Sequence, residues 1–254
     1  MSAHLSPDLA ELLAYLGEIG YGDLYLRQAA GTAVPAAAPD LVVPAAPPPR
    51  TAAGEAWPPA GPGKTPDAAK RAAQLAALAA TAGGCTRCRL CEGRKKVVFG
   101  AGNPDAELML IGEGPGAEED RQGLPFVGPA GELLTRIIQA IDMTREEVYI
   151  ANVVKCRPPG NRDPQPDEVA ACRSFLEQQI ALVQPRVIVA LGRVAAQTLL
   201  GNESPIGQMR GRWYRIQGVP AMVTYHPAAL LRNQAFKRPT WEDMQQVRDR
   251  LRSA

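Results

Sequence analysis

From Glu107 to the C-terminus, short apolar runs alternate with segments long enough for helices. The runs are ELMLIG at 107–112, EVYIANVV at 147–154, RVIVAL at 186–191 and AMVTY at 221–225. They are rich in β-branched and large apolar residues and too short for buried helices, which suits strands covered on both faces. Helix-length segments lie between and after them, at Ala130–Ile141, Asp167–Val183, Arg193–Leu200 and Thr240–Leu251. The alternation predicts an α/β fold, a three-layer α/β/α sandwich with a short central parallel sheet. Ligands of such sheets bind outside the carboxyl ends of the strands. The residues there are Glu113 and Gly114, Asn152, Gly192 and His226.

The N-terminal third reads differently. Residues 1–28 predict a short helix, with Ser6 as N-cap, Pro7 in the first turn and Leu9, Leu12, Leu13 and Leu16 at helical spacing. Residues 29–83 predict a Pro/Ala-rich linker, helical again only near its end, from Pro66. Ten of the 24 prolines fall between Pro35 and Pro66, where they block helix and sheet ladders alike. Residues 84–254 form the expected globular domain. Charge divides along the same line: residues 1–83 hold 5 basic and 7 acidic side chains, residues 84–254 hold 23 and 19. A mild positive balance permits a nucleic-acid partner without demanding one. No apolar stretch approaches the ~20 residues of a membrane span, and the N-terminus lacks a secretory signal pattern. The cytoplasm is the expected location, and there disulfides are rare.

The five cysteines therefore need another account. Cys85 and Cys88 form C-x-x-C, Cys91 follows, and Cys156 and Cys172 lie after the second run and early in a helix. Four thiolates, two close and two distant, make a metal-site pattern. Spacing does not separate zinc from an iron–sulfur cluster, and it leaves the use of Cys91 open. Scattered buried cysteines acting as small hydrophobes are the plain alternative.

After the first run comes IGEGPGAEED (111–120), a strand entering a Gly-rich turn that matches no phosphate-binding motif. Phe126 follows in a Pro/Gly-flanked loop, an unusual place for a core ring. His226 is the one histidine of residues 84–254 and stands at a strand's carboxyl end in YHPAALLRN. Leu230, Leu231 and Arg232 follow it in an expected exposed loop, suited to wedging into DNA or to starting a buried helix. Lys155, Arg157 and Arg162 follow the second run, and Arg210, Arg212 and Arg215 interleave with Trp213 and Tyr214. With Lys237 and Arg238 these form either a phosphate-contacting rim or an ordinary solvated face.

Together these residues resemble the type 4, iron–sulfur uracil-DNA glycosylases of the uracil-DNA glycosylase superfamily. The matching pieces are CTRCRLCEGRKKVVFGAGNPDAELMLIGEGPGAEED, GLPFVGPAGELL, YIANVVKCRPPGNRDPQPDE, the distal Cys172 and HPAALLRN, in that order. They cover nearly everything from Cys85 onward and nothing before it. The resemblance implies a 4Fe–4S cluster on Cys85, Cys88, Cys156 and Cys172, with Cys91 left out. It implies a DNA-repair hydrolase that flips uracil from DNA and cuts its N-glycosidic bond, with His226, Glu113 and Glu119 catalytic. Uracil contacts would fall on Glu113, Gly114, Phe126, Asn152 and His226, and DNA contacts on Leu230, Leu231, Arg232, Arg210 and Arg212. A related class captures DNA covalently through a histidine in an inserted Lys/Arg-Arg-Ile-His loop. The corresponding VVKCRPPGNRDP has no histidine, so ordinary turnover is expected. The expected state is a monomer, with residues 1–83 tethering a repair or replication protein. A zinc-stapled nucleic-acid-binding module and an iron–sulfur redox protein are the competing readings.

Overall fold

The computed structural model describes residues 67–253. The expected N-terminal helix and most of the expected linker lie outside the described residues. The chain begins with α1 (Ala68–Gly83), whose first turn is closed by the Asp67 carboxylate accepting from Lys70 N at 2.9 Å. Leu75 and Ala82 of α1 are buried in the core, and Arg71 donates to the Leu182 carbonyl at 3.0 Å. The helix expected near the end of the linker is thus part of the folded unit, which starts ahead of residue 84.

The remaining elements are α2 (Leu90–Gly93), β1 (Ala101–Gly102), β2 (Leu108–Gly112), α3 (Ala117–Gln122) and α4 (Pro129–Gln139). They continue with β3 (Tyr149–Asn152), α5 (Pro166–Val183), β4 (Val187–Leu191), α6 (Arg193–Leu200) and α7 (Ile206–Met209). The last are β5 (Trp213–Ile216), β6 (Val219–Thr224), α8 (Pro227–Arg232) and α9 (Lys237–Arg252). The strands form one sheet in the order β1-β3-β2-β4-β6-β5. The inner four are parallel, and the two edges are antiparallel.

Side-chain alternation on the strands builds two cores. Leu108 and Leu110 of β2 join Leu134 and Ile138 of α4 and Met244 and Val247 of α9 on one face. Met109 and Ile111 join Leu75 of α1 and Phe175 and Ile180 of α5 on the other. This is the expected three-layer sandwich. Both edge strands escaped the sequence reading. β1 has two residues, too few for a period. β5 carries the basic–aromatic stretch at 213–216 and turns into β6 through Gln217 and Gly218, both at positive φ (50° and 80°). Paired left-handed residues are what a two-residue hairpin needs.

The chain runs from β2 outward to β3, then crosses back to β4 on the other side of β2. That reversal opens a crevice at the carboxyl ends of β2 and β4.

Candidate active site

A cavity of about 530 Å³ opens at this crevice, and Glu113, Gly114, Phe126, Asn152 and His226 all line it. Parallel register sets Gly112 beside Asn152 and Leu191 beside Thr224, so the loops after all four inner strands meet.

Gly112 marks the point of convergence. A Cβ there would lie 2.5 Å from Asn152 Oδ1 and 2.6 Å from Phe126 Cζ. Only a missing side chain lets amide and ring come this close. Asn152 is 1% exposed, and its Oδ1 is buried with no hydrogen-bond partner. An orphaned buried acceptor is costly, about 1–3 kcal/mol. This one lines a cavity, where a ligand N–H would satisfy it.

Phe126 holds φ at 52°, a left-handed conformation uncommon for a bulky residue. Its neighbours hold it there. Arg145 donates to the Pro125 carbonyl, while Val127 N and Gly128 N donate to Glu119 Oε1 at 2.9 and 3.0 Å. Gly116 N donates to Glu119 Oε2 at 3.1 Å. Glu119 lines the cavity, yet backbone N–H groups occupy both of its oxygens. Arg145 had no signal in the sequence, because its partner is a carbonyl.

His226 caps α8. Its Nδ1 accepts from Ala228 N at 3.1 Å, and Pro227 begins the helix. Burial holds the imidazole down at about 4, aided by the Arg232 charge and opposed by Glu119. The ring is therefore neutral near pH 7. With Nδ1 accepting, the proton sits on Nε2. The ring lies 5.5 Å from Phe126 at 31°. Gly192, at φ 91°, makes this approach possible, because a Cβ there would meet His226 Cβ at 2.8 Å.

Glu113 is partly buried after β2. Burial pushes its carboxyl up to about 7, Asp163 adds to the rise, and Arg193 opposes it. Asp163 and Arg193 pair at the cavity wall, two site residues that the sequence reading missed.

The expected DNA rim needs correction. Leu230 is 2% exposed and packed into the fold, because α8 continues where an exposed loop was expected. Leu231, the next residue of that helix, is 49% exposed. Arg210 is tied to the buried Asp243 carboxylate and to the Pro239 carbonyl, so its guanidinium is a buttress. Arg162 likewise pairs with buried Glu168 at 2.7 Å, and Lys155 is fully enclosed. Arg212 and Arg232 are exposed, and Arg232 lines the cavity.

All five cysteines line a second hollow, with Arg87, Arg94 and Phe175. Donors point at four of the sulfurs. Arg87 Nε donates to Cys85 at 3.4 Å, Arg94 to Cys156 at 3.4 Å and Lys155 N to Cys172 at 3.3 Å. Leu90 N serves Cys88. Burial pushes the Cys156 thiol up to about 11, against the opposing pull of Arg94. Among the described residues, no three His, Cys, Asp or Glu side chains are gathered to hold a single metal ion.

Residues 99–245 match the family described as the uracil DNA glycosylase superfamily. A type-4 uracil-DNA glycosylase of Saccharolobus solfataricus is 46% identical over 178 residues, covering 66% of this chain and 82% of the relative. One from Thermotoga maritima is 46% identical over 170 residues, covering 65% and 88%. A type-5 uracil-DNA glycosylase of Thermus thermophilus is 33% identical over 152 residues, covering 46% and 69%.

Proposed function

The chain belongs to the uracil-DNA glycosylase superfamily, and from that membership we infer that its cavity receives a uracil extruded from DNA. The activity is hydrolysis of the N-glycosidic bond between uracil and deoxyribose, the first step of base-excision repair. The observation that carries this reading is the buried, unpartnered Oδ1 of Asn152, a residue that lines the cavity and stands beside the Phe126 ring.

Each residue then has a chemical task. Stacked, paired uracil is out of reach, so the nucleotide is flipped out at a cost of a few kcal/mol. Leu231 fills the vacated stack, and Arg232 meets phosphate beside it. Phe126 stacks on the base. Asn152 Oδ1 accepts from uracil N3–H, and its amide N–H donates to a neighbouring carbonyl. Cytosine offers a bare N3 and an amino group there, a mismatch at both contacts. As the bond breaks, charge gathers on the uracil oxygen, and neutral His226 donates to it through Nε2. Glu113, as carboxylate, orients the water and faces the cationic sugar. Glu119 acts as a positioning residue for the Phe126 loop. Hydrolysis uses water and needs no amine nucleophile, and among the described residues no lysine lines the cavity.

Cys85, Cys88, Cys156 and Cys172 fit a 4Fe–4S cluster. All four line one hollow, and N–H donors to thiolate sulfur stabilise ligands of this kind. Cys91 lacks such a donor among the described residues. The cluster would supply a covalent staple joining the segment before β1 to the segment after β3, with no electron transfer. The cytoplasm as location and uracil-containing DNA as substrate complete the reading. Among the described residues, no helix is long and apolar enough to cross a membrane.

The test is direct. Purified protein that is brown and contains iron, not zinc, should release uracil from a labelled oligonucleotide, and alkali should then break the strand at that position. An intact strand sinks the reading.

A pH profile checks Glu113. Below about 7 the side chain carries its proton, and above about 7 it is the carboxylate the reaction needs. The rate should fall roughly tenfold per unit below that point and level off above it. In Glu113→Gln the acid limb should vanish and the plateau drop about 100-fold. A limb that survives the substitution assigns it to another group.

A further inference from the structure

Lys155 is 2% exposed, and its ammonium hydrogen-bonds only to neutral partners among the described residues. Nζ donates to the Asn152 carbonyl at 2.7 Å and to Gln179 Oε1, and lies 5.9 Å from the Phe99 ring. A cation buried without a carboxylate is expensive to keep. It is also a plain liability in a core unless the geometry it enforces is needed.

The geometry it enforces is that of Asn152. The Asn152 Oδ1 has no partner, so the side chain is not held through that atom. The peptide is held instead. Lys155 Nζ grips the Asn152 carbonyl at the end of β3. Gln179 fixes the ammonium in turn, its Nε2 donating to the Phe99 carbonyl at 2.8 Å and to the Tyr149 hydroxyl at 3.2 Å. The backbone of Lys155 is fastened as well, with N donating to Cys172 Sγ at 3.3 Å and O accepting from Val98 N at 2.8 Å. A side chain pinned at both ends ties the last peptide of the strand to the helix behind the sheet.

We propose that Lys155 is a positioning residue for base selection: by clamping the Asn152 peptide it aims the side-chain amide, whose Oδ1 is unpartnered, at the uracil edge. The proposal rests on the reading of Asn152 given above. It explains why a lysine just beyond the strand points inward instead of toward phosphate.

The experiment is a double-substitution cycle in the full chain, with Lys155→Met, Asn152→Ala and both together. Excision is measured from single-stranded oligonucleotides holding uracil or cytosine, alongside visible absorbance per chain. Lys155→Met should lower kcat on uracil about 10- to 100-fold, the effect of one misplaced buried polar contact. KM should stay within about twofold, because DNA contacts are untouched. The uracil-to-cytosine ratio should fall, the absorbance should persist, and the double variant should be no slower than Asn152→Ala. Losses that multiply in the double variant, or a Lys155→Met protein as fast as wild type, overturn the clamp and leave the Asn152 reading standing. An Asn152→Ala protein without a defect sinks that reading first, and the clamp with it. If Lys155→Met does not fold, Gln179→Leu takes its place in the cycle, since it frees the ammonium while keeping the lysine. A loss in Gln179→Leu that disappears once Asn152 is alanine supports the clamp, and full activity with an unchanged base ratio overturns it.

Discussion

Replacing His226 with alanine should lower kcat on uracil-containing DNA by about 100- to 1,000-fold, the usual cost of deleting one preorganised donor to a developing anion. KM should change little, because the donor matters most when the leaving base carries charge. The direction follows from the protonation state. Burial holds the imidazole down at about 4, and Nδ1 is engaged by Ala228 N. The ring therefore enters the reaction neutral, with its proton on Nε2. An imidazolium would be the stronger acid, but the site keeps that form out at any pH where Glu113 is ionised. His226→Gln, which retains an N–H at similar reach, should recover part of the loss. Between about pH 5 and pH 9 the wild-type profile should show no limb from this residue, so the acid limb belongs to Glu113. A pH-rate limb that His226→Gln abolishes would mean the imidazole is charged in the reaction and the donor role is misassigned.

The parts that were legible in the sequence share a physical basis. Strands buried on both faces must be continuously apolar, so β2, β3, β4 and β6 stood out as runs. The polar residue ending such a run has been carried to the crevice by the sheet, which is why Glu113, Asn152 and His226 were recognisable one by one. What failed was the reading of charge. Lys155, Arg162 and Arg210 look like a phosphate rim, yet each has a buried partner contributed by another element: Gln179, Glu168 and Asp243. Charge in a sequence carries no address. Whether Arg210 faces water or a carboxylate is decided by the packing of a helix 33 residues further along the chain. Leu230 failed for a related reason. An exposed loop and the start of a buried helix were both open there, and Pro227 starts a helix that buries Leu230 and leaves Leu231 exposed. Arg145 and Asp163 were invisible because their contribution is to hold a carbonyl and to tune a neighbour.

The base-reading amide carries the largest expected change in specificity. Asn152→Asp should cost about 100-fold or more on uracil while the carboxyl is ionised, because the oxygen replacing the amide N–H then faces a uracil carbonyl with no donor between them. It should gain measurable excision of cytosine. The site favours this gain through burial: a carboxyl at a 1% exposed position beside the Phe126 ring is driven toward its neutral form. The protonated carboxyl of that variant can offer O–H to the bare N3 of cytosine and a carbonyl oxygen to its amino group, or, with the proton on the other oxygen, the wild-type pattern to uracil, so specificity relaxes toward cytosine. Cytosine activity should therefore grow as pH falls, while the Glu113 requirement pulls the other way. The two opposed limbs should produce a bell, where uracil excision by the wild type shows a single acid limb. Cytosine paired to guanine resists flipping more than uracil does, so the comparison belongs on single-stranded oligonucleotides, where extrusion is cheapest. A variant that loses uracil activity with no rise in the cytosine-to-uracil ratio would show that Asn152 braces the cavity without reading the base.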